Sequence, residues 1–298
     1  MQTVQIVEVG PRDGLQNERN VIETSDKLQL IALLADAGLK RIEATSFVHP
    51  RWIPQLADAD TVARHISNRV GVEYSALVPN KKGLERAIVA GLKEIAVFMS
   101  ASEAHNKQNI NKSIRETYSI LSEVINQAVV AGIRVRGYVS TVFGCPFAGD
   151  VSIDDVTRVM EQLFKMGVYE VSLGDTIGIA TPKQVEERLT VLLRYFPVEK
   201  LACHFHDTRG TALANVYAAL TKGIRVFDSS IGGLGGCPYA PGATGNVATE
   251  DLVNMLEGMG IATGVDLHRL LAASSFMQTK LGRALPSKML SFKQRGGY

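Results

Sequence analysis

The sequence is poor in cysteine, in histidine and in net charge, and each shortage narrows its chemistry. Its three cysteines, Cys145, Cys203 and Cys237, are odd in number and form no C-x-x-C pair. A disulfide-stapled protein is therefore disfavoured, and a reduced, cytoplasmic setting is expected. No window approaches the ~20 consecutive apolar residues of a membrane-spanning helix. The N-terminus lacks a charged-then-apolar leader pattern, and strand-like sequence begins at Thr3, which leaves no room for a transit peptide. With 32 basic and 30 acidic residues the formal charge is only +2. No basic stripe interleaves with aromatics, so nucleic acid is not an expected partner. No G-x-G-x-x-G follows the first strand-like run, which argues against an open dinucleotide-binding sheet.

What is present is a regular alternation. Apolar, β-branched runs at 4–10, 41–47, 72–78, 94–100, 133–141, 169–175, 200–207 and 225–233 read as strands. Helical patterns lie between them, near 24–37, 55–68, 81–90, 111–131, 152–166, 181–195, 208–222 and 247–259, with a further one at 266–281. Thr24 and Ser25, Ser152, and the Thr181-Pro182 pair are helix-start signals. The motifs AGLK, AGIR, MGVY and KGIR each set Gly between a helix and the next strand, the expected C-terminal stop. Eight strands alternating with eight helices predict an α/β fold. The expectation is a single (β/α)8 TIM-barrel domain over 1–298, with one extra C-terminal helix.

In such a barrel the chemistry sits where strands end. Two of the six histidines, His204 and His206, fall two residues apart at the end of strand seven. Alternate side chains share a face, so both imidazoles converge on one point. Strand one ends in Arg12 and Asp13, strand two in Glu43 and Ser46, strand five in Tyr138 and Thr141, strand six in Asp175 and Thr176. Asp13 with His204 and His206 makes a facial set for a divalent cation, to which Asn246 could add an amide oxygen. An all-N/O donor set favours Mg2+ or Mn2+ over structural zinc, while two histidines also suit zinc or cobalt. Arg12 and Glu43 are oppositely charged candidates for one buried pair. Asp175 reads either as a helix-entry residue or as support for the histidines. Cys203, out of phase with the histidines, is expected to be inert core. Cys237 lies in a loop with six glycines and two prolines after strand eight, where a thiol can donate a proton.

The segments GPRDGLQNE, SFVHPRW, GYVSTVFGCP, SLGDTIG, HFHDT and GGLGGCPYAPGATGN resemble the 3-hydroxy-3-methylglutaryl-CoA lyases, over about residues 4 to 281. The Arg-Asp and H-x-H elements are shared with a wider superfamily of synthases, carboxyltransferases and aldolases; the cysteine-bearing loop is specific to the lyases. The resemblance implies cleavage of a CoA thioester, 3-hydroxy-3-methylglutaryl-CoA, to acetyl-CoA and acetoacetate, as in leucine degradation or ketone-body formation, by a homodimer. It implies that Asp13, His204, His206 and Asn246 are metal ligands and that Arg12 polarises the thioester carbonyl with Glu43 as its partner. Cys237 is implied to be the loop thiol. Gln16, Ser46 and Thr176 join Arg12 as expected substrate contacts. His204, working through Asp175 or water, is the expected base. Arg19 and His49 depart from the usual family residues, away from this chemistry.

Overall fold

The computed structural model describes residues 2–18, 20–66, 70–236 and 245–297. Cys237 and Arg19 lie outside them. The strands are β1 (Gln5–Glu8), β2 (Arg41–Ser46), β3 (Glu73–Leu77), β4 (Glu94–Ser100), β5 (Arg134–Ser140), β6 (Glu170–Gly174), β7 (Leu201–His204) and β8 (Val226–Ser229). They pair in parallel in sequence order, and β1 pairs β8, so the sheet closes into a barrel. The helices are α1 (Thr24–Asp36), α2 (Ala59–Ile66), α3 (Lys81–Val89), α4 (Glu103–Ile110), α5 (Ile114–Val130), α6 (Ile153–Met166), α7 (Pro182–Leu192), α8 (Ala212–Thr221), α9 (Thr249–Gly258), α10 (Leu267–Leu281) and α11 (Lys288–Gln294). Among the described residues no helix is long and apolar enough to cross a membrane.

The predicted strand 94–100 matches β4, while the other seven overran the observed ladder at one or both ends. Two helices were missed. α4 has no apolar stripe, although Ser102 caps it by accepting the His105 N–H. It is separated from α5 by Asn111 in the left-handed region (φ 53°). α11 is a single short segment, so the C-terminal addition to the barrel is α10 and α11 rather than one helix. The first helix is entered from Glu23, not capped by Thr24 or Ser25, because the Thr24 hydroxyl donates instead to Asp58 at 2.7 Å. Ser152 and Thr181 cap as expected. The stop glycines work as read: Gly167 ends α6 at φ 110°, a conformation that costs any residue with a Cβ.

The barrel interior is charged rather than purely aliphatic. Alternate residues of a strand share its inner face, and Arg41 and Glu43, Arg136 and Tyr138, and Glu170 and Ser172 are such pairs, all buried. In the N-terminal half Glu170 receives Arg41 at 3.0 Å and Arg136 at 2.6 Å. Arg136 also reaches up to Asp228 on β8 at 2.7 Å. This ionic column is the floor of the mouth. Its charges are paired with one another, the condition under which buried charge is tolerated.

Candidate active site

The chain after β1 does not turn simply. Gly10–Gly14 forms one turn of π-helix, in which the N–H groups of Arg12, Asp13 and Gly14 all point at the Val9 carbonyl, at 3.1, 2.7 and 3.2 Å. This wide turn puts Arg12 and Asp13 side by side at the mouth. Arg12 donates from Nε to Glu43 and from Nη1 to Asp13. Neither bond uses Nη2. Glu43 is braced on its other oxygen by the Tyr138 hydroxyl at 3.0 Å. The Arg12 and Arg136 guanidinium carbons lie 5.4 and 5.0 Å from the centre of the Tyr138 ring, close enough for each to add cation–π attraction. Burial works against the Arg12 charge, but Glu43 and Asp13 outweigh it and raise its pKa further.

Asp13, His204 and His206 form the one group of described residues whose ligand atoms gather as a cation site would need, all within 4.8 Å of one another. The two imidazoles face each other with Nε2 atoms 3.2 Å apart. Two ring nitrogens at that distance share either a hydrogen, one neutral ring donating to the other, or a metal ion. Burial, then the neighbouring His204, push His206 down to about 4, so its ring is neutral at neutral pH. Burial alone would lower His204, but Asp228 and Asp13 raise it. Burial would raise Asp13, but Arg12, His204, His206 and the Asn246 amide hold it at about 2. Asn246 donates from Nδ2 to Asp13 at 2.8 Å and to the Leu234 carbonyl at 3.1 Å. Its Oδ1 is buried with no hydrogen-bond partner among the described residues. An orphan acceptor beside one carboxylate and two imidazoles fits a hard or borderline divalent cation.

Other expected site residues are spent on the scaffold. The Ser46 hydroxyl donates to the Leu77 carbonyl and accepts the Val48 N–H, both at 3.3 Å. Thr176 accepts the Thr141 N–H at 2.7 Å, and Gln16 donates to Asp13 at 3.0 Å. Asp175 accepts the N–H groups of Ile179 and Ala180, at 2.9 and 3.2 Å. Burial lifts it to about 6, yet it is not the hydrogen-bond partner of the His204 ring. That partner is Asp228, 3.2 Å from Nδ1, which sequence reasoning missed. Its signal was the one charged residue inside the run VFDSS of strand eight. Cys203 is inert core as read, its thiol pushed up by burial.

Glu8 was also missed. Fully buried, it accepts the N–H groups of Gly10 and Ile231, each at 2.8 Å, and the Thr249 hydroxyl at 2.7 Å. It thereby ties the start of the Arg12–Asp13 turn to the loop after β8. Burial raises Glu8 to about 7, against those three bonds. A carboxyl whose folded pKa exceeds its unfolded value stabilises below the unfolded pKa and loses that contribution as pH rises through the folded one. Stability of Glu8→Gln relative to the parent is therefore expected to improve between pH 4.5 and 7, by about 3 kcal/mol in total. Urea denaturation at several pH values measures it; a pH-independent difference would show that Glu8 does not titrate in that window.

Comparison with known proteins agrees with this geometry. The family model described as HMGL-like matches residues 3–277. The chain belongs to the HMGL-like family. It is 58% identical over 287 residues to the hydroxymethylglutaryl-CoA lyase YngG of Bacillus subtilis, covering 96% of each chain. The crystal structure of the HMG-CoA lyase from that genus and species superposes with a TM-score of 0.97 at 56% identity, over 99% of both chains. An HMG-CoA lyase from Acinetobacter baumannii, solved with coenzyme A and 3-methylmalate, matches with a TM-score of 0.93 at 41% identity, over 97% of this chain and 94% of that one.

Proposed function

We propose that this member of the HMGL-like family is a metal-dependent carbon–carbon lyase. It cleaves 3-hydroxy-3-methylglutaryl-CoA to acetyl-CoA and acetoacetate. The observation that carries the reading is the meeting of Arg12 with the Asp13, His204, His206 and Asn246 donor set at one barrel mouth, in a chain so similar to hydroxymethylglutaryl-CoA lyases. The substrate is a tertiary alcohol β to a thioester. Its cleavage requires loss of the hydroxyl proton, stabilisation of a thioester enolate and protonation of that enolate.

Asp13, His204, His206 and Asn246 would hold the cation, Mg2+ or Mn2+, which when bound acidifies and orients a hydroxyl. Arg12, fixed by Glu43 and Tyr138, presents Nη2 to the developing enolate as a permanently charged donor. His204 is the base assigned to the hydroxyl, its basicity raised by Asp228 and Asp13. Its Nε2 holds a cation or a proton but not both, so this role requires it to be the weakest ligand. Cys237 is assigned delivery of the final proton, on the strength of the sequence resemblance. Full activity in Cys237→Ala would leave that loop without a proton-transfer role. The proposal extends to one working domain over 1–298, a homodimer and a cytoplasmic setting; sedimentation equilibrium checks the dimer.

Metal-stripped protein given 3-hydroxy-3-methylglutaryl-CoA is expected to release acetoacetate only when Mg2+ or Mn2+ is restored. Folded protein that makes no acetoacetate with either ion would overturn the substrate assignment.

A further inference from the structure

Asp228 is fully buried on β8, the register partner of His204 on β7. Three side chains converge on its carboxylate. Arg136 reaches Oδ1 from Nη2 at 2.7 Å and Oδ2 from Nη1 at 3.3 Å. The Ser172 hydroxyl reaches Oδ2 at 2.7 Å, and His204 Nδ1 lies 3.2 Å from the same oxygen. Beside a guanidinium the carboxylate stays ionised, so it has no hydrogen to give. The hydrogen of the His204 contact must sit on Nδ1. A neutral ring with Nδ1–H has its one lone pair on Nε2, the atom that faces His206 and Asp13.

We propose that Asp228 is a positioning residue for the cation site: it locks the His204 ring orientation and tautomer so that Nε2, and not Nδ1, is the nitrogen presented to the site. Arg136 keeps the Asp228 carboxylate ionised and in place through its own two contacts from Nη1 and Nη2, while its Nε bonds Glu170 at 2.6 Å. The inference rests on reading Asp13, His204 and His206 as a cation site. Carboxylates that accept the second N–H of a ligating imidazole fix the ring and strengthen the ligand, and their loss costs ~10–100-fold in metal affinity.

The test compares Asp228→Asn with Glu170→Gln. The second removes the other anion on Arg136 without touching His204, so it serves as the control for a merely structural lesion. Mn2+ dissociation constants are read from the electron paramagnetic resonance of the free ion. The His204 tautomer is read in metal-free protein, at a pH where the ring is neutral, from long-range 1H–15N correlations. Asp228→Asn is expected to weaken Mn2+ binding by ~10–100-fold and to lose the Nδ1–H form. Glu170→Gln should keep both close to the parent. Equal weakening in the two variants, or an unchanged tautomer in Asp228→Asn, overturns the proposal. If Asp228→Asn does not fold, the parent alone decides: a dominant Nε2–H tautomer in the metal-free protein overturns it as well. A parent that binds no Mn2+ refutes the cation site itself, a result distinct from a parent that binds while Asp228→Asn binds equally well.

Discussion

Arg12→Gln lowers kcat for 3-hydroxy-3-methylglutaryl-CoA cleavage by ~10²–10³-fold, the loss expected when one preorganised donor to a developing oxyanion is removed. KM should change far less, because the charge that Arg12 is proposed to oppose would exist only as the carbon–carbon bond breaks. Glutamine keeps an amide donor for Glu43 but no positive charge. Two carboxylates then lose their shared counter-ion, since Arg12 bonds both Glu43 and Asp13. Burial already pushes Glu43 above its ordinary range, and Arg12 is the first of the groups pulling it back. With Arg12 gone Glu43 takes up a proton rather than stand as an uncompensated buried charge. Stability should therefore fall by less than the ~3–5 kcal/mol of a broken buried pair. A double variant with Glu43→Gln separates the effects: it should recover stability and no activity. Near-parental kcat in Arg12→Gln would remove Arg12 from the transition state.

The frame of this site was legible in the sequence because its cues are local. The H-x-H spacing needs only strand alternation, and the helix-stop glycines needed only positive φ, as at Gly167. Barrel-mouth placement of Arg12, Asp13, Glu43 and Asn246 then followed from the strand-end rule. What failed were assignments set by register and by distant neighbours. Asp175 was chosen to support His204 because it also sits at a strand end, but its carboxylate is taken by the Ile179 and Ala180 N–H groups. Asp228 became the partner only because β7 and β8 align His204 with it, and no property of VFDSS encodes that register. Glu8 and Ser46 illustrate a second limit. Each is a polar residue at the end of a mouth strand, yet both bond backbone groups brought in by other elements. The hydroxyls and carboxyls that bind substrate cannot be told by type or place from those that hold loops together.

Asp13→Asn should have the largest effect on the proposed cation site, because one atom's change would disable two of its proposed ligands. The Asp13 carboxylate accepts from Arg12, Gln16 and Asn246 and donates nothing. An asparagine there has one acceptor and an NH2 group in place of the second oxygen. That NH2 must avoid the donors of Arg12, Gln16 and Asn246. Its simplest acceptor is the Asn246 amide oxygen, the orphan Oδ1. Asn246 then flips or turns, and its oxygen is consumed before a cation can use it. Loss of the anionic ligand and diversion of the amide ligand together should weaken Mn2+ binding beyond the ~10–100-fold typical of losing an outer hydrogen-bond partner. Isothermal titration with Mn2+ measures this directly. In the parent, affinity should also fall as pH drops through the range of His204, since proton and metal compete for one Nε2. His204 owes part of its raised pKa to Asp13. In Asp13→Asn the metal-free ring should accordingly titrate at lower pH, a shift that histidine NMR reads without any metal present. Mn2+ affinity within threefold of the parent, with the His204 titration displaced as expected, would mean that Asp13 tunes the histidines electrostatically and ligates nothing.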